Sequence, residues 1–172
     1  MKKLVPILFL AFSMGAATAQ PLLASDKQNF AVVRDTAPLA VGDAVPTIVA
    51  KDQHGTEFVF TNQLQFLLVV TEMASAKAAN QKLAGQGAGF LESHHAAYLM
   101  DIHTMPSVAR FFALPKMRKY PHRIVLVDSA ATLAGFPAQP GRVTVLALTP
   151  SGRIQKIGWW NPESEPVAAC FQ

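Results

Sequence analysis

The chain has 172 residues, is 51% hydrophobic and 15% charged, and carries a formal net charge of +4. That length suits one domain with a sizeable core and is short for two. So small an excess of cations provides no electrostatic footprint for nucleic acid, and with Cys170 as the one cysteine an internal disulfide is excluded.

Met1-Lys2-Lys3 is a short basic start, Leu4 to Phe12 an apolar run too short to span a bilayer, and Ala17-Thr18-Ala19 a small-residue cleavage pattern before Gln20. Residues 1–19 therefore read as a secretory signal peptide. Its removal takes away Lys2 and Lys3 and no acid, so the basicity is largely a targeting feature. The expected location is periplasmic or secreted, and membrane association is not expected after cleavage. Residues 20–40 contain Pro21 and Pro38 and lack a helical period. They read as a leader with a short edge strand at Phe30 to Val33. The domain proper is expected over 41–172.

Thr47 to Ala50 and Glu57 to Phe60 form the arms of a hairpin around Lys51-Asp52-Gln53-His54-Gly55. Phe66-Leu67-Leu68-Val69-Val70 is a continuous apolar run, the pattern of a strand buried on both faces. It leads into an Ala-, Lys- and Gln-rich helix with Ser75 as N-cap, ended by Gly85, Gly87 and Gly89, while Glu72 just before it reads as a capping carboxylate rather than a lone catalytic acid. Ala96 to Ile102 is strand-like. Thr104 caps a second helix with Pro106 in its first turn, Val108, Phe111 and Phe112 on one face, and Pro115 stopping or kinking it. Ile124 to Val127 is a strand, and Ala130 to Gly141 a connection. Val143 to Leu148 and Arg153 to Trp159 pair through the turn Thr149-Pro150-Ser151-Gly152. The predicted order is β-β-β-α-β-α-β-β-β, a mixed α/β sheet with helices on its faces.

The chain resembles the thioredoxin-like superfamily, especially exported relatives of peroxiredoxins and thiol–disulfide oxidoreductases. The resemblance rests on Val41-Gly42-Asp43-Ala44-Val45-Pro46, Asp52-Gln53-His54-Gly55 with Phe58, and Leu64 before the strand Phe66 to Val70. It continues in the run from Arg142 through Thr149-Pro150-Ser151-Gly152 to Ile154. It implies a thioredoxin-like mixed sheet with an extra N-terminal β-hairpin. It also implies cysteines near Ala76 and Ala79, where this chain has alanine, and a cis-proline near Val143, where the nearest proline is Pro140. Without a sulfur at the helix start, disulfide exchange and thiol peroxidase chemistry are not carried over. What remains implied is a groove for an extended peptide, formed by Glu72, Ser75, Ala76, Ala79, Arg142, Val143 and Thr144.

Other residues suggest other chemistry. His94, His95 and His103, with Met100 and Met105 nearby, are soft ligands suited to copper or zinc, although neighbouring residues of a strand diverge. Lys116, Arg118, Lys119, His122 and Arg123 form a basic run around Tyr120-Pro121 that could dock an acidic partner or anionic headgroups, but a solvated loop is the favoured reading because Pro115 and Pro121 break any continuous amphipathic surface. Ser75 and Lys77 lie two apart on a helix and do not face each other, so they make no nucleophile–base pair. One of Trp159 and Trp160 should point inward and the other outward. Cys170 could bridge two chains or remain a free tail thiol.

The leading expectation is an exported, redox-inactive thioredoxin-like domain that binds or scaffolds another envelope protein or peptide, without a cofactor. A metal-binding protein using His94, His95 and His103 is the alternative. A cysteine-independent enzyme is a third, for which the residues supply no catalytic constellation.

Overall fold

The computed structural model describes residues 37–172. The signal peptide 1–19, most of the leader and the strand expected at Phe30 to Val33 lie outside the described residues. From residue 37 on, Leu39 packs against the domain, its N–H donating to the Gly135 carbonyl at 2.7 Å.

The strands are β1 (Val49–Asp52), β2 (Glu57–Val59), β3 (Phe66–Val70), β4 (Ala96–Asp101), β5 (Val125–Val127), β6 (Val143–Leu148) and β7 (Ile154–Trp160). They form one mixed sheet in the order β2-β1-β5-β4-β3-β6-β7. β3 runs parallel to β4 and antiparallel to β6, with Leu68 opposite both Tyr98 and Val145. The apolar run is thus an interior strand, and Leu67 to Val70 are all buried.

Strand alternation divides the core into two layers. Leu68 and Val70 share one face with Tyr98, Met100, Val143, Val145 and Trp160. Leu67 and Val69 share the other with Leu99, Val125, Val127, Leu146 and Leu148. Helices α1 (Met73–Ala84) and α3 (Ser107–Met117) serve the first layer, and α4 (Ala130–Leu133) the second. A one-turn α2 (Phe90–Ser93) precedes β4, and a 3-10 turn over Val167–Phe171 closes the chain. Among the described residues no helix is long and apolar enough to cross a membrane.

The expected hairpin arm Thr47 to Ala50 moves two residues along, to Val49–Asp52. Asp52 is the reason: its Oδ1 accepts the N–H groups of His54 and Thr56, so the turn starts after it. Gly152 occupies the fourth position of the expected turn, with φ +74°. The positive φ is what calls for glycine; a Cβ there would also sit 2.8 Å from Asn62 Oδ1, the end of an exposed side chain that can turn aside.

The capping assignment at Ser75 is corrected. The N-cap is Glu72, and Ser75 lies inside the first turn, 2% exposed, with its Oγ unpartnered. The helix starts earlier because its buried stripe, Ala76, Ala79, Asn80 and Leu83, follows directly from the end of β3. In α3 the N-cap is Pro106 rather than Thr104, and the helix continues through Pro115 to Met117.

Candidate functional site

The C-terminal end of β3 meets the start of β6, where Val69 lies opposite Thr144. This brings the first turn of α1 beside the loop 137–142. Thr144 Oγ1 donates to the Pro137 carbonyl at 2.6 Å and pins that loop to the sheet. Gly141, at φ +73°, donates its N–H to Glu72 Oε2 at 2.9 Å. A carboxylate thus bridges the gap between the helix start and the loop. No described peptide bond is cis.

The proposed groove is corrected by burial. Ser75, Ala76, Ala79, Val143 and Thr144 are at most 3% exposed, inside the core rather than on a face. The alanines let α1 lie close against the sheet, and Val143 and Thr144 belong to a strand paired on both edges. Only Glu72 and Arg142 reach solvent, and Arg142 makes a 3.7 Å surface ion pair with Glu165. The same rim exposes Met73, 55% accessible, together with Ala74 and Lys77. Met73 shares a helical face with Ala76 and Asn80 but lies a turn nearer the helix start. That position would have been legible from the sequence had the helix start been placed at Glu72.

Cys170 is not an exposed tail thiol. It is 3% exposed, and burial, with Glu165 adding to it, pushes the thiol up to about 12. Such a sulfur stays protonated and unreactive. The neighbouring Phe171 stacks edge-on against Phe66, its ring centroid 5.1 Å away, at the end of β3 opposite the start of α1. A bridge to a second chain would require the tail to leave the core.

The three histidines are not brought together. His94 and His95 precede β4 and His103 follows it, so six extended residues, roughly 20 Å, separate them. His94 stacks on Phe171 and its Nδ1 lies 2.9 Å from the Phe90 carbonyl, while His103 Nδ1 lies 2.7 Å from Asp101 Oδ1. Among the described residues no cluster of three metal-ligating side chains is present.

The basic run is split by its contacts. Arg123 binds Asp52 Oδ2 at 3.0 Å and the Glu57 carbonyl, and its guanidinium lies over Phe58. Burial opposes ionisation of Asp52, but the Thr56 and His54 N–H groups and Arg123 outweigh it and hold the carboxyl below its usual range. Arg118 donates to the Gln53 carbonyl. His122 is buried, its Nε2 2.9 Å from Asn80 Oδ1 and its Nδ1 without a protein partner. Burial lowers its imidazole to about 4. Lys116 and Lys119 remain exposed and, among the described residues, join no ion pair. As the alternation predicted, Trp160 is buried and Trp159 half-exposed.

The sequence matches no family model and no curated protein. The structure is similar to the thioredoxin domain of a thiol-disulfide oxidoreductase from Bacteroides vulgatus, with TM-score 0.52 and 14% identity, over 78% of this chain and 99% of that one. It is also similar to a hypothetical protein from Sinorhizobium meliloti, with TM-score 0.50 and 16% identity, over 70% of each chain. The chain therefore has a thioredoxin-like fold. Its single cysteine is Cys170, so it is a thioredoxin-like chain without active-site cysteines.

Proposed function

We propose that the protein is an exported, redox-inactive binding module that uses the thioredoxin-like fold as a scaffold in the cell envelope. The observation that carries this reading is the Glu72–Gly141 bridge. A carboxylate, unable to exchange disulfides, ties the start of α1 to the loop before β6. The one thiol lies buried within the terminal 3-10 turn. Export is supported by the pattern of residues 1–19. The partner is an envelope protein or peptide held on the solvent rim of Glu72, Met73, Lys77 and Arg142 rather than in a groove over Ala76 and Val143. An apolar Met73 flanked by charges of both signs suits an extended peptide with one apolar side chain.

Two measurements test the two halves of this reading. Insulin reduction and peroxide consumption by the purified protein should both equal the buffer blank, and turnover in either would end the redox-inactive reading. A photo-crosslinking residue at Met73 should capture a defined partner in intact cells, and one at the distant, exposed Glu57 should not. Equal capture from both positions would remove the rim as the binding site.

A further inference from the structure

Helix α3 holds itself to the sheet by an unusual residue. Arg110 points inward, its Nε donating to the Met105 carbonyl, one terminal nitrogen to the Ile102 carbonyl and the other to Asp128. Leu114 and Met117 lie on the same face, four and seven residues on. Among the described residues nothing covers the apolar side chains left on the other face. Val108 is 71% exposed, Phe111 75% and Phe112 63%, with the two rings in edge contact at 5.3 Å. Val108, Phe112 and Lys116 follow one another at four-residue intervals along this face, and exposed Pro115 lies beside them.

The charge along the segment that carries this ridge has one sign, and the acids nearest to α3, Glu57 and Asp128, lie with Arg110 and Leu114 on its other side. From Ile102 to Val127 the chain contains no acidic residue, while it carries Arg110, Lys116, Arg118, Lys119 and Arg123. Arg110 and Arg123 are neutralised by Asp128 and Asp52. Lys116 and Lys119, at the C-terminal end of the ridge, are not. A second copy of the chain is a poor occupant. Three apolar side chains are far short of the roughly 800 Å² per partner that a stable interface buries. A deformable apolar layer beneath a negative surface suits both halves of the patch. The rings can enter it while the lysine stems lie along it and keep their ammonium groups at the headgroups.

We propose that α3 is a peripheral membrane-docking element that seats Val108, Phe111 and Phe112 in an anionic lipid surface, with Lys116 and Lys119 on the headgroups. This departs from the sequence-based expectation of no membrane association, and it is independent of the rim around Glu72.

The test is co-sedimentation of the full chain with phosphatidylcholine vesicles, with and without about 30% phosphatidylglycerol, to supply negative surface charge. Wild type should partition onto the anionic vesicles and leave them as salt is raised. Phe111→Ser with Phe112→Ser should weaken that partition about tenfold, through lost ring insertion. Lys116→Glu with Lys119→Glu should weaken it by a similar factor, about tenfold, and abolish the preference for anionic lipid. The N-terminal segment is common to all these proteins, so its own lipid affinity cancels in the comparison. Unchanged melting temperatures would show that the variants fold. Equal partition of wild type and the phenylalanine variant overturns the proposal, as does indifference to lipid charge. Self-association that the phenylalanine variant abolishes, with lipid binding unaltered, would assign the ridge to a second copy. Competition by soluble polyglutamate that is equally strong for wild type and the phenylalanine variant would assign the lysines to an acidic protein. Either result overturns docking on lipid.

Discussion

Helices α1 and α3 pack on the same layer of the core but distribute their side chains in opposite ways. In α1 the stripe Ala76, Ala79, Leu83 is buried, and Lys77 and Gln81 face water. In α3 an arginine reaches inward to backbone carbonyls while Phe111 and Phe112 face water. From Ala76 on, the first pattern is explained by folding, because the helix lays Ala76, Ala79 and Leu83 against the core and leaves only Met73, at its start, as an exposed large apolar side chain. The second is not, since exposing two phenylalanines does nothing for a core. An apolar face that packing does not use is where a contact outside the chain should be sought.

The sharpest way to break this comparison is to truncate one side chain in each helix. Leu83→Ala should destabilise the domain by about 3 kcal/mol, because a fully buried leucine leaves a cavity. Phe111→Ala should change stability by no more than about 0.5 kcal/mol. Urea denaturation midpoints measure both. Comparable losses would mean that the α3 ridge belongs to the core, and its role as an external surface would fall.

The next largest effect depends on pH. His122 joins the two regions, since it follows α3 and its Nε2 meets Asn80 of α1. Its imidazole is depressed to about 4 by burial. An unfolded chain takes up this proton near pH 6.5, and the folded protein refuses it until about pH 4. The stabilisation is therefore complete above about pH 6.5, declines as the pH falls, and levels off below about 4, a loss of at most about 3 kcal/mol. His122→Gln should flatten that window in a series of denaturation curves. A wild-type profile already flat between those limits would mean that the ring is solvated. Asp52 acts in the same direction at lower pH. Its carboxyl is held below the usual range, so its stabilisation is lost as the pH falls through the acid range.

The smallest expected effect concerns the helix start. Glu72→Ala removes the acceptor for the Gly141 N–H and should lower the melting temperature by about 2–4 °C. Hydrogen exchange at the Gly141 amide should quicken markedly, and protection equal to wild type would show that the bridge does not form in solution.

Much of the sheet was legible because strand signals are local. Phe66 to Val70 has apolar residues on both faces, which only an interior strand can bury, and Val143 to Leu148 starts and ends where its pattern does. The turn at Thr149 to Gly152 was equally plain, since proline and glycine restrict it residue by residue. The site was only half legible. Its place after β3 followed from the order of elements. The burial of Ser75, Ala76 and Val143 did not, because an alanine-rich helix start looks the same whether it stands free or lies against a sheet. The histidines were misleading for a related reason: closeness along the chain suggested a cluster, and the extended strand between them separates its two ends.

By itself, the sequence determined that the chain makes a mixed sheet with an interior β3 and that it cannot form a cysteine pair. Those conclusions need only side-chain period and a count of cysteines. Tertiary structure alone decided that the lone thiol is sealed in the core, that Glu72 spans to Gly141, and that α3 turns its phenylalanines outward. Each of these depends on which distant segment packs against a residue. An amphipathic period states that a helix has an apolar face, but only the surrounding backbone, here the carbonyls of Ile102 and Met105 that receive Arg110, decides whether that face is buried.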